Sequence, residues 1–424
     1  MKKLLKNGNV FVSKNKKFEI CDILLEDDKI KEIGKELSDS EAETIDCNGY
    51  HILPGLIDMH VHLRDPGYTA KEDIISGAKA AAKGGFSSIC CMPNTNPVLD
   101  NTSAINYVTR KAGDLDKTRI FVIGAMSKGL EGKEIANIGS MVNAGVIGIS
   151  DDGNCIQNTK VALNVVRYAS TYDLPIIVHA EDYTLSGEGQ VNYGKMSTKL
   201  GVKGIPSLSE EIIVSREIML ANVTNSHIHF SHVSTHRAVE LIRRAKADGV
   251  NITAEVTPHH LLLTEEECAE FDTNKKMKPP LRTEKDRQAL ISGLQDGTID
   301  VIATDHAPHT DYEKELEFLK APFGVIGLES AFPALYTNLV KNGEFQLEEL
   351  VAKMSENPAQ IIKQDLGLIA EGKTADLAVV NLDESFLFSE NYIASKSHNS
   401  PFLGKTFFGK PKFTLCKGKI IWQD

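Results

Sequence analysis

Gly55-Leu56-Ile57-Asp58-Met59-His60-Val61-His62-Leu63-Arg64-Asp65-Pro66-Gly67 begins as an apolar strand and ends in a turn signal. His60 and His62 are two residues apart, so an extended strand projects both from the same face. Two imidazoles side by side at the end of a buried strand make half of a metal site. Arg64 has the same parity and lies just beyond the strand end, where its planar fork can meet a carboxylate next to the metal. A His-x-His pair on its own is as readily two partly exposed histidines. The rest of the chain decides between the two readings.

Outward from this stretch, apolar strand-like runs alternate with helical patterns. After Ile57 to His62 comes a helix through Ala78-Lys79-Ala80-Ala81-Ala82-Lys83, closed by Gly84-Gly85. The next runs are Ser88 to Met92, Ile120 to Ala125, Val146 to Ser150 and Pro175 to His179. Ser226 to His232, Asn251 to Val256 and Asp300 to Asp305 complete the series. Eight strands with helices between them indicate an α/β fold, a (β/α)8 TIM-type barrel. The structural alternative is a doubly wound open sheet, but no Gly-rich dinucleotide fingerprint or P-loop follows any of these strands. Both ends of the chain read as short strands with turns, as in Asp22 to Ile30 and Phe413 to Trp422. Neither end has enough strand for a core of its own, so the expectation is one small β-sandwich domain built from both termini. The resulting division is 1–54 and 366–424 for the β domain and 55–365 for the barrel.

The 424 residues are 42% hydrophobic and 25% charged, an ordinary globular balance with material for a large core. The 47 basic and 58 acidic residues leave a net charge of −11, which argues against a nucleic-acid partner. No run reaches membrane-spanning length, and the start of the chain lacks the apolar stretch of a signal peptide. The seven cysteines have no paired spacing and read as reduced thiols of a cytoplasmic protein. Cys90-Cys91 reads as strand filler rather than a metal-ligand pair.

In such a barrel the reactive groups gather at the carboxyl ends of the strands. Those ends offer His60, His62 and Arg64, then Asn94, then Asp151-Asp152, then His179 with Glu181, then His232, and last Asp305, His306 and His309. His60, His62, His179 and His232 thus fall at the ends of three separate strands, with carboxylates from two more. Four imidazoles and two carboxylates suit Zn²⁺. Six ligands exceed one tetrahedral site, so two metals sharing a carboxylate are the natural arrangement. Hydroxide held between them is a strong nucleophile, and a neighbouring carboxylate can pass its proton to a leaving nitrogen. Spacing alone leaves open whether Asp151 or Asp152 is the ligand. His227 and His229 lie earlier on their strand, with parity opposite to His232, and read as internally bonded. His259 and His260 read as structural. Glu313-Lys314-Glu315-Leu316-Glu317 reads as a solvated helix face or part of a lid.

Together these residues resemble the cyclic amidohydrolases, and among them the bacterial single-chain dihydroorotases. The matching motifs include Asp58 to Gly67, Met92-Pro93-Asn94-Thr95, Asp151-Asp152-Gly153 and Val178-His179-Ala180-Glu181. Further on come Ser231-His232-Val233-Ser234-Thr235, Pro279-Pro280-Leu281-Arg282, Ala303 to His309 and Ala321-Pro322-Phe323-Gly324. The resemblance implies reversible hydrolysis of dihydroorotate to carbamoyl aspartate in pyrimidine synthesis. It implies one zinc on His60, His62 and Asp305 and a second on His179 and His232, with Asp152 as the bridge. Asp305 would be the general base and then the acid. His62, Arg64, Asn94 and His309 would contact the substrate, along with backbone groups of Phe323 and Gly324. Hydantoinases and allantoinases usually bridge their metals with a carboxylated lysine, and no lysine ends strand four here.

The expected partners are the small-molecule pair dihydroorotate and carbamoyl aspartate, a second copy of the chain, and aspartate transcarbamoylase, with no nucleic acid and no membrane. One departure from the family pattern is Lys278, where an asparagine commonly precedes Pro279-Pro280. Its ammonium is expected to point to solvent, as Lys275 and Lys276 are. The competing functions are another cyclic amidase acting on hydantoin or allantoin, and a non-catalytic barrel scaffold, which would be marked by lost ligands.

Overall fold

The computed structural model describes residues 2–113, 115 and 117–424. The barrel strands are β1 (Leu56–Val61), β2 (Phe86–Cys91), β3 (Arg119–Ala125), β4 (Gly148–Ser150), β5 (Ile176–Val178), β6 (Ile228–Phe230), β7 (Ile252–Val256) and β8 (Val301–Ile302). They pair in parallel in chain order. The two edges then meet: Val61 bridges His306 in parallel, and His62 N donates to His306 O at 2.9 Å. That closure decides for a barrel and against an open sheet. A core from several strands at once, Ile57, Met59, Cys90, Ile123, Ile177 and Val301, packs with Ala359 and Ile361. Cys90 is therefore filler, as expected. Burial pushes its thiol well up and that of Cys91 up to about 12, so neither offers a thiolate. All seven cysteines are free and buried.

The helix expected through Ala78 to Lys83 spans Ile74–Lys83. It starts earlier because the Asp73 carboxylate caps it, accepting from Ile75 N and Ser76 N. Several strands end earlier than the apolar runs suggest. The sixth run was expected to reach His232 and the eighth Asp305. In the structure both residues lie past the strand end with positive φ, 32° and 48°, and Arg64 has φ 58°. Non-glycine residues rarely adopt this backbone, and it concentrates at functional sites. Here it turns the chain so that these side chains face the barrel mouth.

Eight strands from the two termini form one mixed sheet. His51–Pro54 runs antiparallel to Leu377–Leu387, joining the two ends of the chain. The path curls until Lys29 bridges Thr374 and Ile30 N donates to Lys373 O. Leu5, Val10, Ile23, Leu25, Ile52, Leu377, Val379 and Leu415 share the enclosed core, so one curled sheet supplies both inner faces of the expected sandwich. This sheet leads directly into the site. His51–Pro54 continues through Gly55 into β1, and Gly55 N donates to Asp376 O at 2.8 Å. A Cβ at Gly55 would lie 2.3 Å from Ser87 Oγ, so only glycine allows that approach. Among the described residues no helix is long and apolar enough to cross a membrane.

Candidate metal centre and substrate cavity

The six side chains named as ligands converge at the barrel mouth. Asp152 Oδ1 lies 3.2 Å from His60 Nε2, and its Oδ2 lies 3.3 Å from His62 Nε2. Asp305 Oδ1 is 3.0 Å from His62 Nε2 and 3.5 Å from His60 Nε2. Across the mouth, His179 Nδ1 and His232 Nε2 are 2.8 Å apart, at 3.9 and 3.7 Å from Asp152 Oδ1. A tetrahedral ion with ligands at about 2.0–2.1 Å holds its donor atoms roughly 3.3–3.4 Å apart. The spacing around His60, His62, Asp152 and Asp305 matches that edge length. His60 Nε2 and Asp152 Oδ1 are also buried without any hydrogen-bond partner, which a divalent ion between them would supply. The residues present therefore fit a metal.

The surroundings of the histidines set which nitrogen faces inward. His60 Nδ1 is 2.6 Å from Glu255 Oε1, and His62 Nδ1 is 2.8 Å from Asn94 Oδ1. Each Nδ1–H donates outward, so each Nε2 lone pair points at the shared space. Burial alone would lower the His60 pKa, but Asp152, Glu255 and Asp305 raise it well above the usual imidazole range. Burial pushes Asp152 up, yet His60, His232 and His62 hold it well below the carboxylate range. Three buried carboxylates around these imidazoles make a pocket that attracts cations.

Glu255 escaped the sequence reading. Its signal is slight: it is the one charged residue in the apolar strand Ile252–Val256. It also accepts from His229 Nε2 at 3.1 Å, and His229 Nδ1 and His227 Nε2 each lie 2.8 Å from Thr253 Oγ1. Those two histidines bond internally, as expected. His260 is structural too, spanning Thr257 Oγ1 and Pro279 O at 2.7 and 3.0 Å. His259 is buried, and burial lowers its pKa to about 4, so it is neutral. The geometry separates the two aspartates that spacing left open. Asp151 turns away and accepts from Met126 N at 2.8 Å and Ser127 N at 2.9 Å, while Asp152 alone reaches the histidines.

Beside the cluster is a cavity of about 390 Å³, and His62, Arg64, Asn94, His309, Phe323 and Gly324 all line it. Arg64 is held by Nε donating to Pro308 O at 3.2 Å. Burial, together with the Arg64 and Lys71 cations, lowers the His309 pKa to about 2, so its ring is neutral, and its Nε2 lies 2.8 Å from Phe323 O. A second residue missed from sequence, Asn399, comes from the C-terminal segment. Its Oδ1 accepts from His309 N at 3.1 Å, and its Nδ2 donates to Ala307 O and Gly324 O at 3.1 and 3.0 Å. One buried amide thus ties together the two loops that carry His309 and Gly324. Nothing in its sequence context, Ser397-His398-Asn399-Ser400, marks it for that role.

Residues 51–421 match the amidohydrolase family model. The chain is 48% identical over 421 residues to a dihydroorotase of Ruminiclostridium cellulolyticum, covering 99% of this chain and 98% of that protein. A dihydroorotase of Clostridioides difficile is 43% identical over 421 residues, covering 99% of each chain. The chain belongs to the dihydroorotases of the amidohydrolase family. Among solved structures, an L-hydantoinase from Arthrobacter aurescens superposes with TM-score 0.90 at 26% identity, covering 100% of this chain and 96% of that one. A D-hydantoinase at 24% identity shares the fold with TM-score 0.87.

Within this dihydroorotase fold, four lysines are not where the sequence reading put them. Lys278 lines the cavity instead of pointing to solvent, with its Nζ 2.8 Å from Glu181 Oε1. The other Glu181 oxygen lies 3.0 Å from His179 Nε2. The ammonium stays because a buried carboxylate needs a cation, and Glu181 supplies that demand inside the mouth. Lys276 is fully buried and donates to Phe318 O and Ala321 O at 2.5 and 2.7 Å. Lys275 is mostly covered as well, with its Nζ on Pro401 O at 2.5 Å. Lys314, expected on a solvated face, is buried and donates to Thr273 O and Pro322 O, both at 2.9 Å. The loop carrying Phe323 is thus pinned by two buried ammonium groups that take carbonyls as partners.

Proposed function

We propose that this chain hydrolyses the cyclic amide of dihydroorotate to N-carbamoyl aspartate and also catalyses the reverse ring closure. One observation carries the reading: a His/Asp cluster able to hold a metal ion and the half-buried Arg64 side chain line the same cavity. The first suits splitting a cyclic amide, and the second suits holding a carboxylate. The relatives' name, dihydroorotase, supports the same substrate. Hydantoin carries no carboxylate and would leave the Arg64 fork without an anionic partner.

His60, His62 and Asp305 would hold one Zn²⁺ and His179 and His232 a second, with Asp152 between them. When bound, such ions polarise a carbonyl and bring water close to ionisation at neutral pH. Asp305 accepts the water's proton and returns it to the ring nitrogen as the C–N bond breaks. Asn94 keeps its amide N–H donors for the substrate, because its oxygen is engaged by His62. Arg64 takes the substrate carboxylate as a fork. His309 and the backbone of Phe323 and Gly324 close the wall against the ring.

The test is an assay of purified, zinc-loaded protein with dihydroorotate and with carbamoyl aspartate, alongside hydantoin and allantoin. Turnover of both members of the first pair is expected, and activity confined to hydantoin or allantoin would refute the reading. Arg64→Lys should raise KM in both directions, because lysine keeps the charge and loses the two parallel hydrogen bonds. Equal KM and kcat for variant and wild type would place the carboxylate elsewhere. Lys278→Asn should cost about 1 kcal/mol of stability, the low end for losing a charged hydrogen-bond partner that solvent partly screens. A thermal melt reads that loss, and an unchanged midpoint would mean that Glu181 does not depend on Lys278.

A further inference from the structure

The cavity wall at His309 is backed by a lysine that the proposed reaction does not yet use. His309 Nδ1 lies 3.4 Å from Lys71 Nζ, and its Nε2 lies 2.8 Å from Phe323 O. An ammonium can only donate and a carbonyl can only accept. Both contacts therefore ask for one tautomer, with Nδ1 bare and the proton on Nε2. Burial and the Arg64, Lys71 and Lys314 cations keep the ring neutral, so it carries a single N–H. Arg64 Nη2 stands 3.4 Å from the same Nε2. Neither of these groups can accept from the other, so two N–H donors stand side by side at the cavity wall.

We propose that Lys71 is a positioning residue for the substrate carboxylate, fixing His309 as the tautomer whose Nε2–H joins Arg64 in holding it. This rests on the dihydroorotate reading, which supplies the carboxylate. Lys71 is itself held on several sides. Its Nζ pairs with Glu313 Oε1 at 2.7 Å and lies 5.6 Å from the centre of the Tyr68 ring. Ser397 Oγ donates to its backbone O at 2.7 Å. Glu313 is what makes the lysine necessary. Its Oε2 accepts from Thr310 N at 3.1 Å, capping the short helix Asp311–Lys314, and the same oxygen lies 3.7 Å from His309 Nδ1. A carboxylate facing that nitrogen draws the ring proton to it. An Nδ1–H ring would turn the Nε2 lone pair toward the substrate carboxylate and toward Phe323 O, with no hydrogen between them. Lys71 prevents this twice over, by neutralising Glu313 and by donating to Nδ1. A carboxylate oxygen entering beside Phe323 O can then share the Nε2–H as a three-centre bond.

The experiment compares KM and kcat of zinc-loaded wild type, Lys71→Met and Lys71→Met/Glu313→Gln, alongside the nitrogen NMR spectrum of isotope-labelled histidines. Lys71→Met should raise KM for dihydroorotate and for carbamoyl aspartate by roughly 10–100-fold, the range for a hydrogen bond to a charged group. Its kcat should stay within a few-fold, because the metal ligands keep their partners. Glu313→Gln removes the competing charge while its amide oxygen can keep the Thr310 cap, so the double variant should recover most of the loss. In the substrate-free wild type the His309 proton should sit on Nε2, and in Lys71→Met on Nδ1, with the signal assigned by its loss in His309→Gln. A wild-type proton on Nδ1 overturns the proposal. So does an unchanged KM in Lys71→Met, or a raised KM that the double variant does not recover. None of these results touches the dihydroorotate reading, which wild-type turnover alone decides.

Discussion

Asp305→Asn is expected to lower kcat by about 10²–10⁴ in both directions, the range for losing a positioned acid–base group. The amide cannot take a proton from water or return one to the ring nitrogen. It is also a weaker ligand, so metal content must be measured in the same preparation. Asp305 is buried and set by a left-handed turn just after β8, with Oδ1 3.0 Å from His62 Nε2. Asparagine is nearly isosteric and can accept the same turn, so the melting curve should show a folded protein. A kcat within a few-fold of wild type at full metal occupancy would remove Asp305 from the proton-transfer role.

Removing the metal is expected to abolish turnover, and Zn²⁺ alone should restore it. The orphaned His60 Nε2 and Asp152 Oδ1 leave the cluster with no protein partner to satisfy it. Asp152 reaches toward all four histidines from the end of β4, where a carboxylated lysine would otherwise stand. Restoration should therefore be independent of added bicarbonate. Full activity after exhaustive chelation would exclude a metal role. A bicarbonate requirement, or a carbamate mass on a lysine, would overturn the bridging role proposed for Asp152. Because a bound ligand stabilises the state that binds it, the melting temperature should also fall on chelation and recover with Zn²⁺.

Much of this molecule was legible along the chain. The eight apolar runs, the parity of His60 and His62, and the placing of histidines and acids at run ends are local patterns. Period-two alternation and strand-end position are consequences of backbone geometry, which any stretch of sequence carries within itself. The same holds for Cys90-Cys91, whose apolar strand announced burial. Barrel closure was not local: it rests on Val61 meeting His306, residues 245 positions apart by their numbering.

The remaining decisions were made by partners distant in sequence. Asp151 and Asp152 are neighbours of identical chemistry, and only the 126–127 backbone, by taking Asp151, leaves Asp152 to the histidines. Glu255 and Asn399 acquire their roles from His60, His309 and Gly324, which their own neighbours in the chain do not reveal. Lys276, Lys278 and Lys314 look like surface lysines by type, and composition sends such side chains to water. Tertiary structure overruled that tendency because carbonyls of the 318–322 loop, where water is excluded, and the Glu181 carboxylate beside the cavity needed donors. The sequence by itself determined which elements form and which chemistry stands at their ends. Which of two like residues faces the site, and which charge goes inside, depended on unsatisfied groups that only the folded chain brings within reach.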